Sequence, residues 1–322
     1  MLNSIDAIRS INSLVKSKIP FLFIADFEKE NNIVLPLNEL NQHNIFFSIP
    51  GLSNCPQPKA TLSYFKKSPI TLEHYAELFS KSMAEIKKGN TFLMNLTVST
   101  PIESNLNLLE FFLLANARYK LYYDDQFAVF SPESFVSIED GVIKTFPMKG
   151  TIKADIPGAL ENILNNPKEA AEHATIVDLL RNDLSIMAHN VQVKRFRYAD
   201  LINTNFGPIY QISSEIQGTL PADYEDNLGE IIFSLLPAGS VTGAPKTKTI
   251  SIIKEIELEP RQFYTGIFGV WDTKRLVSAV MIRFIRNQNK NLFYHSGGGI
   301  TFQSNCEQEY QELIDKIYVP VC

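Results

Sequence analysis

Apolar positions recur along the chain with two different periods. Runs with strand character stand at 21–24, 92–96, 127–130, 262–264 and 277–284. Helical spacing falls at about 71–88, 105–118, 157–189, 225–234, 246–256 and 305–317. Phe135-Val-Ser-Ile138 and Val142-Ile-Lys-Thr-Phe146 flank Glu139-Asp140-Gly141 as a hairpin. A three-residue loop with left-handed Gly141 sets Ile138 opposite Val142 and Glu133 opposite Pro147, and Lys149 then shares a face with Glu133. A two-residue Asp140-Gly141 loop shifts the register by one and sends the two to opposite faces unless a bulge intervenes. Hairpins mixed with helices predict an α+β fold whose antiparallel sheets carry helices on their outer faces. No repeat or low-complexity linker divides residues 1–322, so one domain is expected, and 54–58 reads as a loop.

Residues 236–246, Leu-Pro-Ala-Gly-Ser-Val-Thr-Gly-Ala-Pro-Lys, concentrate two glycines, two prolines and the donors Ser240, Thr242 and Lys246. Such a loop can cradle carboxylate or phosphate oxygens, or simply cap a helix. It is not a nucleotide-phosphate loop, because Ala244 and Pro245 separate Gly243 from Lys246. Glu169 and Glu172 lie one turn apart in 167–188, a long helix with Pro167 near its start. Glu309, Glu312 and Lys316 share a face of a C-terminal helix capped by Ser304 or Asn305, with Glu307 in its first turn. Each carboxylate pair alone reads as a solvated face; together they offer hard oxygen ligands suited to magnesium. Lys316 can also form an ordinary ion pair with Glu312. Arg283 stands inside the apolar run Ala279-Val-Met-Ile-Arg-Phe-Ile285, where an arginine needs an anionic partner.

Composition narrows the class. The chain has 322 residues, 45% of them hydrophobic and 20% charged, which places it among globular proteins with a large core. A net charge of -5 leaves no footprint for nucleic acid, and no apolar run is long enough to span a bilayer. The N-terminus carries an early acidic residue and no signal-peptide plan, so a cytoplasmic location is expected. Cys55, Cys306 and Cys322 are widely spaced, as reduced thiols would be. None sits in the tight elbow that a glutaminase nucleophile needs; Cys306 opens a helix, a place that can lower a thiol pKa but equally suits a plain cap-region residue.

Met148-Lys-Gly-Thr151, Glu172-His-Ala-Thr-Ile-Val-Asp-Leu-Leu-Arg-Asn-Asp183, Gly239-Ser-Val-Thr-Gly-Ala-Pro-Lys246, Tyr264-Thr-Gly-Ile-Phe-Gly269 and Gly297-Gly-Gly-Ile300 with Glu309-Tyr-Gln-Glu312 occur in the order seen in chorismate-utilising enzymes. Over roughly residues 70–320 the chain resembles component I of aminodeoxychorismate synthase, with anthranilate, isochorismate and salicylate synthases as sister families. The resemblance implies two large sheets packed as a sandwich with the pocket between them. It also implies an abbreviated N-terminal part, residues 1–65, without the tryptophan inhibitor site of anthranilate synthase.

The same resemblance assigns roles. Lys149 would add to C2 of chorismate as the C4 hydroxyl leaves, Glu133 of the Ser131-Pro-Glu133 turn would donate the proton, and ammonia would then enter at C4. Glu172 and Glu312 would contact Mg2+, with Glu169 and Glu309 nearby. Arg283 and Tyr264 would grip the enolpyruvyl carboxylate, Gly297 and Gly299 would add backbone donors, and Gly150, Thr151, Thr242 and Lys316 would line the pocket. Leu93 stands where isochorismate and salicylate synthases carry a base for water, and Gln211 where anthranilate synthases typically carry histidine, which disfavours both of those outcomes. Ammonia would come from a separate glutamine amidotransferase subunit or from free ammonium, and a separate lyase would act downstream. Anthranilate synthesis and a noncatalytic chorismate-binding homologue are the competing readings.

Overall fold

A computed structural model describes residues 1–56, 61–204 and 207–320. The chain begins with α1 (Ser4–Lys16), β1 (Phe21–Ala25), β2 (Asn32–Pro36), β3 (Ile45–Ile49), β4 (Leu52–Ser53), β5 (Phe65–Lys67) and α2 (Leu72–Lys87). Next come β6 (Leu93–Ser104), α3 (Leu108–Leu114), β7 (Tyr119–Tyr123), β8 (Phe127–Ser131), β9 (Ser134–Glu139), β10 (Val142–Thr145) and β11 (Met148–Lys153). The second half holds α4 (Ala159–Asn165), α5 (Pro167–Leu184), β12 (His189–Thr204), β13 (Gly207–Thr219), α6 (Leu228–Leu235), β14 (Gly243–Ala244) and α7 (Lys246–Ile256). It closes with β15 (Ile267–Trp271), β16 (Arg275–Val280), β17 (Phe284–Gln288), β18 (Asn291–Thr301) and α8 (Cys306–Asp315).

These strands form two antiparallel sheets. The first runs β11-β13-β10-β9-β16-β15-β1-β2, with β12 on β13; the second runs β14-β6-β18-β17-β8-β7-β3-β4, with β5 on β6. Alternation along β1 shows how they are glued. Leu22 and Ile24 enter a core shared with Phe47, Val129, Phe268 and Phe284, between the sheets. Phe21, Phe23 and Ala25 face the other way, into a core with Ala7, Ile11 and Val15 of α1, Ile176 and Leu180 of α5, and Ile231 of α6. Helices α2, α7 and α8 cover the second sheet through Tyr75, Ile252 and Leu313 against Met94 and Ile300. The expected α+β sandwich with helices outside is therefore the observed fold. Residues 1–53 are woven into it, supplying strands to both sheets.

Several boundaries differ from the sequence reading. Residues 262–264 form a turn instead of a strand, because Gln262 (φ 52°) and Thr265 (φ 61°) bend the backbone. The run 277–284 is two strands in different sheets, and Arg283 sits at the crossing with φ 54°. Helical spacing over 157–189 breaks at Asn166, whose extended ψ of 116° is what a following proline demands. The 105–118 pattern contracts to α3, fixed by a reciprocal cap between Asn107 and Glu110. Helix α1, with Ala7, Ile11 and Val15 on its buried stripe and Asn3 as cap, was legible in that spacing but not read from it. Part of the expected loop at 54–58, residues 57 and 58, and Cys322 lie outside the described residues.

One buried ion pair fastens the 257–261 loop to β6 and to the loop at Val241. Arg261 is 3% exposed, pairs with Glu257 at 2.7 Å and donates to the carbonyls of Asn95 at 2.6 Å and Val241 at 2.7 Å. Replacing Arg261 by methionine leaves the Glu257 charge buried, and the expected loss is roughly 3–5 kcal/mol in urea unfolding. Adding Glu257→Leu should recover much of that loss; if the single variant unfolds like wild type, the pair carries no such weight.

Candidate active site

Two chain crossings between the sheets pass side by side. One leads from β8 through Ser131-Pro132-Glu133 into β9, the other from β16 through Met281-Ile282-Arg283 into β17. They are tied together: the Val280 N–H donates to the Glu133 carbonyl at 3.1 Å, and the Phe130 N–H to the Arg283 carbonyl at 3.0 Å. Glu133 and Arg283 thus meet at a corner where neither strand ladder extends.

Lys149 reaches this corner through a bulge. The β9–β10 hairpin pairs Glu139 with Val142 across Asp140-Gly141, so the two-residue loop is the one formed, and that register alone would separate Lys149 from Glu133. Two slips follow: β9 gains a residue against β16 between Ser134 and Ser137, on the Glu133 side of the hairpin, and β11 gains one against β13 between Met148 and Thr151, around Lys149. Gly150 takes φ +87° there, and a side chain on it would meet the Glu169 carboxylate at 2.9 Å and Ile163 at 3.3 Å. Lys149 Nζ comes to 3.7 Å from the Cβ position of Gly299, on the far sheet, where Leu93 Cδ1 stands at 3.1 Å.

The electrostatics of Glu133 follow from this enclosure. Glu133 keeps some accessible surface, yet dense protein around the carboxyl pushes its pKa up. The Ser240 hydroxyl, donating at 2.5 Å, and the cations of Lys149, Arg283 and Lys316 pull in the opposite direction without overcoming burial. The carboxyl thus lies among three cations with its pKa above the ordinary range. Arg283 has no carboxylate salt bridge among the described residues; its guanidinium lies 5.2 Å from the Tyr318 ring, and its buried Nε is unpartnered. Beside it Tyr264, 3% exposed, has its hydroxyl pKa raised by burial.

Backbone donors line the opposite wall. Thr97 sends its N–H to Glu257 at 2.9 Å although it faces Gly297 in the register of β6 and β18. That is the pattern of a non-hydrogen-bonded pair, so the polar groups of Gly297 and, two residues on, Gly299 point away from β6. β17 pairs with β18 only as far as His295, which leaves this edge open towards Arg283. Lys316 Nζ uses it already, donating to the Gly297 carbonyl at 2.9 Å while pairing with Glu312 at 2.6 Å. Burial, reinforced by Arg283 and Lys149, lowers the Lys316 pKa; Glu312 opposes that fall.

The four glutamates divide between α5 and α8. A side chain on Gly298 would stand 3.4 Å from Glu309 Oε2 and 3.9 Å from Glu312 Oε1. The Glu309 carboxyl is pushed up first by burial and further by Glu312 and Glu172, a repulsion that a hard divalent cation would relieve. Among the described residues no three acidic, histidine or cysteine side chains are drawn into a ligand cluster. Glu169 faces the Gly150 bulge.

Other expected residues have different posts. Ser240 holds Glu133, and Lys246 pairs with Asp183 at 2.9 Å and donates to the Leu235 carbonyl, so it braces the loop instead of facing an anion. Thr242 is fully buried and donates to the Ala238 carbonyl at 2.8 Å. Thr151, past the bulge, is exposed. Gln211 donates to Met148 Sδ at 2.8 Å, beside Lys149. Asn305 caps α8, and burial with Glu307 raises the Cys306 pKa, the reverse of the lowering a helix start can give. The sequence reading missed His173, whose signal was a polar residue on the buried stripe of Ile176, Val177 and Leu180.

Comparison with known proteins agrees with this geometry. Residues 23–321 match the chorismate binding enzyme family. An "Uncharacterized PabA-like protein" of Haemophilus influenzae is 49% identical over 98% of this chain and 96% of its own. Aminodeoxychorismate synthase component 1 of Escherichia coli is 28% identical over 91% of this chain and 66% of its own. The crystal structure of anthranilate synthase component I from Streptococcus pneumoniae superposes with a TM-score of 0.66 at 29% identity, covering 81% of this chain and 60% of that one. Among the described residues no helix is long and apolar enough to cross a membrane. A corner between two sheets where a lysine, an enclosed glutamate and an arginine meet thus belongs to a member of the chorismate-binding enzyme family.

Proposed function

We propose that this chain converts chorismate and ammonia to 4-amino-4-deoxychorismate, as a Mg2+-dependent aminodeoxychorismate synthase component I. The observation that carries this reading is the convergence of the Lys149 amine and the Glu133 carboxyl, its pKa raised by burial, at one corner between the sheets. In it, the Lys149 nitrogen bonds to C2 of chorismate, both conjugated ring double bonds shift, and the C4–O bond breaks. Glu133 gives its proton to the departing hydroxyl, which leaves as water. Ammonia bonds to C4, both double bonds shift back, and the C2–N bond to Lys149 breaks; the proton shed by the new ammonium group resets Glu133.

Leu93 beside Lys149 offers no base to activate water at C2, and Gln211 offers no acid or base function for expelling pyruvate, which supports a nonaromatic amino product. Arg283, Tyr264 and the edge N–H groups of Gly297 and Gly299 would bind the enolpyruvyl carboxylate. Glu172 and Glu312, with Glu169 and Glu309, would hold Mg2+, which when bound neutralises the ring carboxylate. A separate glutamine amidotransferase would supply ammonia and a separate lyase would consume the product, in the cytoplasm.

The test is to incubate the chain with chorismate, Mg2+ and ammonium, and to identify products by mass spectrometry with and without aminodeoxychorismate lyase. An amino product that the lyase converts to para-aminobenzoate supports the proposal; anthranilate or unchanged chorismate overturns it. Arg283→Gln should lower kcat/KM roughly 10- to 100-fold, mainly through KM, because a charge-assisted pair of hydrogen bonds to the carboxylate is lost. An unchanged KM would remove Arg283 from that role.

A further inference from the structure

The loop 236–245 joins α6 to α7, and one side chain grips both of its feet. Lys246, the first residue of α7, donates to the carbonyl of Leu235, the last residue of α6, at 3.1 Å and pairs with Asp183 of α5 at 2.9 Å. Both members of the pair are largely buried. Between the feet the loop lies against the same end of α5. A side chain on Gly239 would meet Asp183 Oδ2 at 2.7 Å and Leu179 at 3.2 Å, so only glycine allows this approach.

One residue further on, the loop reaches the active-site corner, where the Ser240 hydroxyl donates to Glu133 Oε1 at 2.5 Å. A second anchor follows at once. The Val241 carbonyl accepts from Arg261 at 2.7 Å, the Thr242 carbonyl accepts the Asn95 N–H at 2.9 Å, and the Thr242 hydroxyl donates back to the Ala238 carbonyl at 2.8 Å. Ser240 therefore sits on a short span held from α5 on one side and from Arg261 and β6 on the other. The charged groups facing Glu133 come from other elements: Lys149 of β11, Arg283 at its crossing and Lys316 at the end of α8. Changes at Asp183 or Lys246 leave those three in place and act on the carboxyl through the loop. A hydrogen bond orients an acid only as firmly as its own donor is held.

We infer that Asp183 and Lys246 are positioning residues for the Glu133 carboxyl: their ion pair clamps the loop to α5, and the loop presents the Ser240 hydroxyl to the acid from a fixed place. Their effect on turnover rests on the amination proposed above; their effect on the Glu133 carboxyl does not.

The test compares Ser240→Ala, Asp183→Asn with Lys246→Met, and the three changes together. Removing Lys246 alone would strand Asp183 as a buried charge, so the pair is neutralised jointly. Titration of the Glu133 carboxyl is followed by NMR in protein whose glutamates carry a 13C label on the carboxyl, the resonance being assigned by its loss in Glu133→Gln. kcat, KM and melting temperature are measured alongside. Ser240→Ala removes a donor to the carboxylate, so the Glu133 midpoint should rise and kcat should fall on the order of 10-fold. The Asp183→Asn/Lys246→Met variant should shift the midpoint in the same direction and lose about 10-fold in kcat, with KM within about twofold of wild type. Adding Ser240→Ala to it should lower kcat by less than about threefold more, because both changes break one chain of contacts. An unmoved Glu133 midpoint in the Asp183→Asn/Lys246→Met variant, losses that multiply in the triple variant, or a change confined to melting temperature would overturn the inference. Should wild type leave chorismate untouched, the amination reading fails while the NMR titration still decides the clamp.

Discussion

Lys149→Ala is expected to lower kcat for the aminated product on the order of 10³-fold or more, with KM for chorismate little changed. The asymmetry follows from what the side chain touches. Lys149 Nζ stands near Gly299 of β18, whereas in the proposed reaction carboxylate binding falls to Arg283 and to the open edge of β18. Removing the amine therefore deletes the group that forms the bond and leaves the groups that hold the substrate. Steady-state assay by lyase-coupled para-aminobenzoate formation reads both constants. A variant that retains wild-type kcat would show that ammonia attacks without a lysine adduct, and the reaction would have to be rewritten.

Glu133→Gln should cost about 10²- to 10⁴-fold in kcat, the usual contribution of a positioned acid. Glutamine keeps the shape and can still accept from Ser240, so the loss isolates the proton. The sign of the pH dependence is fixed by the direction of the shift. Burial raises the carboxyl pKa, an acid must be protonated to act, and wild-type kcat should therefore fall as pH climbs through that raised value. The Gln variant should lack this limb. Stability should move the opposite way from activity. A group with a raised folded pKa contributes stability that is fully present below its unfolded value and lost as pH rises through the folded one. Above that value the buried carboxylate is a burden, and Glu133→Gln should melt a few degrees higher, at about 2–4 °C per kcal/mol. If the variant is both as active as wild type and no more stable, Glu133 is an exposed carboxylate in function, whatever its surroundings.

How far the sequence reached is clearest at particular residues. Helix α7 appears at the expected 246–256, and α2 and α8 lie within the expected spans, because each carries a polar start and an apolar stripe of helical period. The α+β class was likewise legible, since hairpins alternate with amphipathic helices, whereas the two-sheet sandwich followed from the resemblance alone. Arg283 is marked out by its apolar neighbours alone, since a charge within such a run needs a reason to be there. Crossings between sheets were not legible: 277–284 is almost uniformly apolar, and periodicity carries no mark of the point where a chain leaves one sheet for another.

By itself, the sequence determined the element types, the glycine-rich edge, the carboxylates on α5 and α8, and the lysine and glutamate that pair as nucleophile and acid by resemblance. Tertiary structure alone decided which of two registers the hairpin adopts and where the slips in β9 and β11 fall that offset it. It also turned Ser240 and Lys246 from anion donors into braces for Glu133 and Asp183. The reason is range. Periods and caps act within a turn or a strand, whereas a pKa, a bulge or a cleft depends on groups tens to hundreds of residues apart that only packing brings within reach.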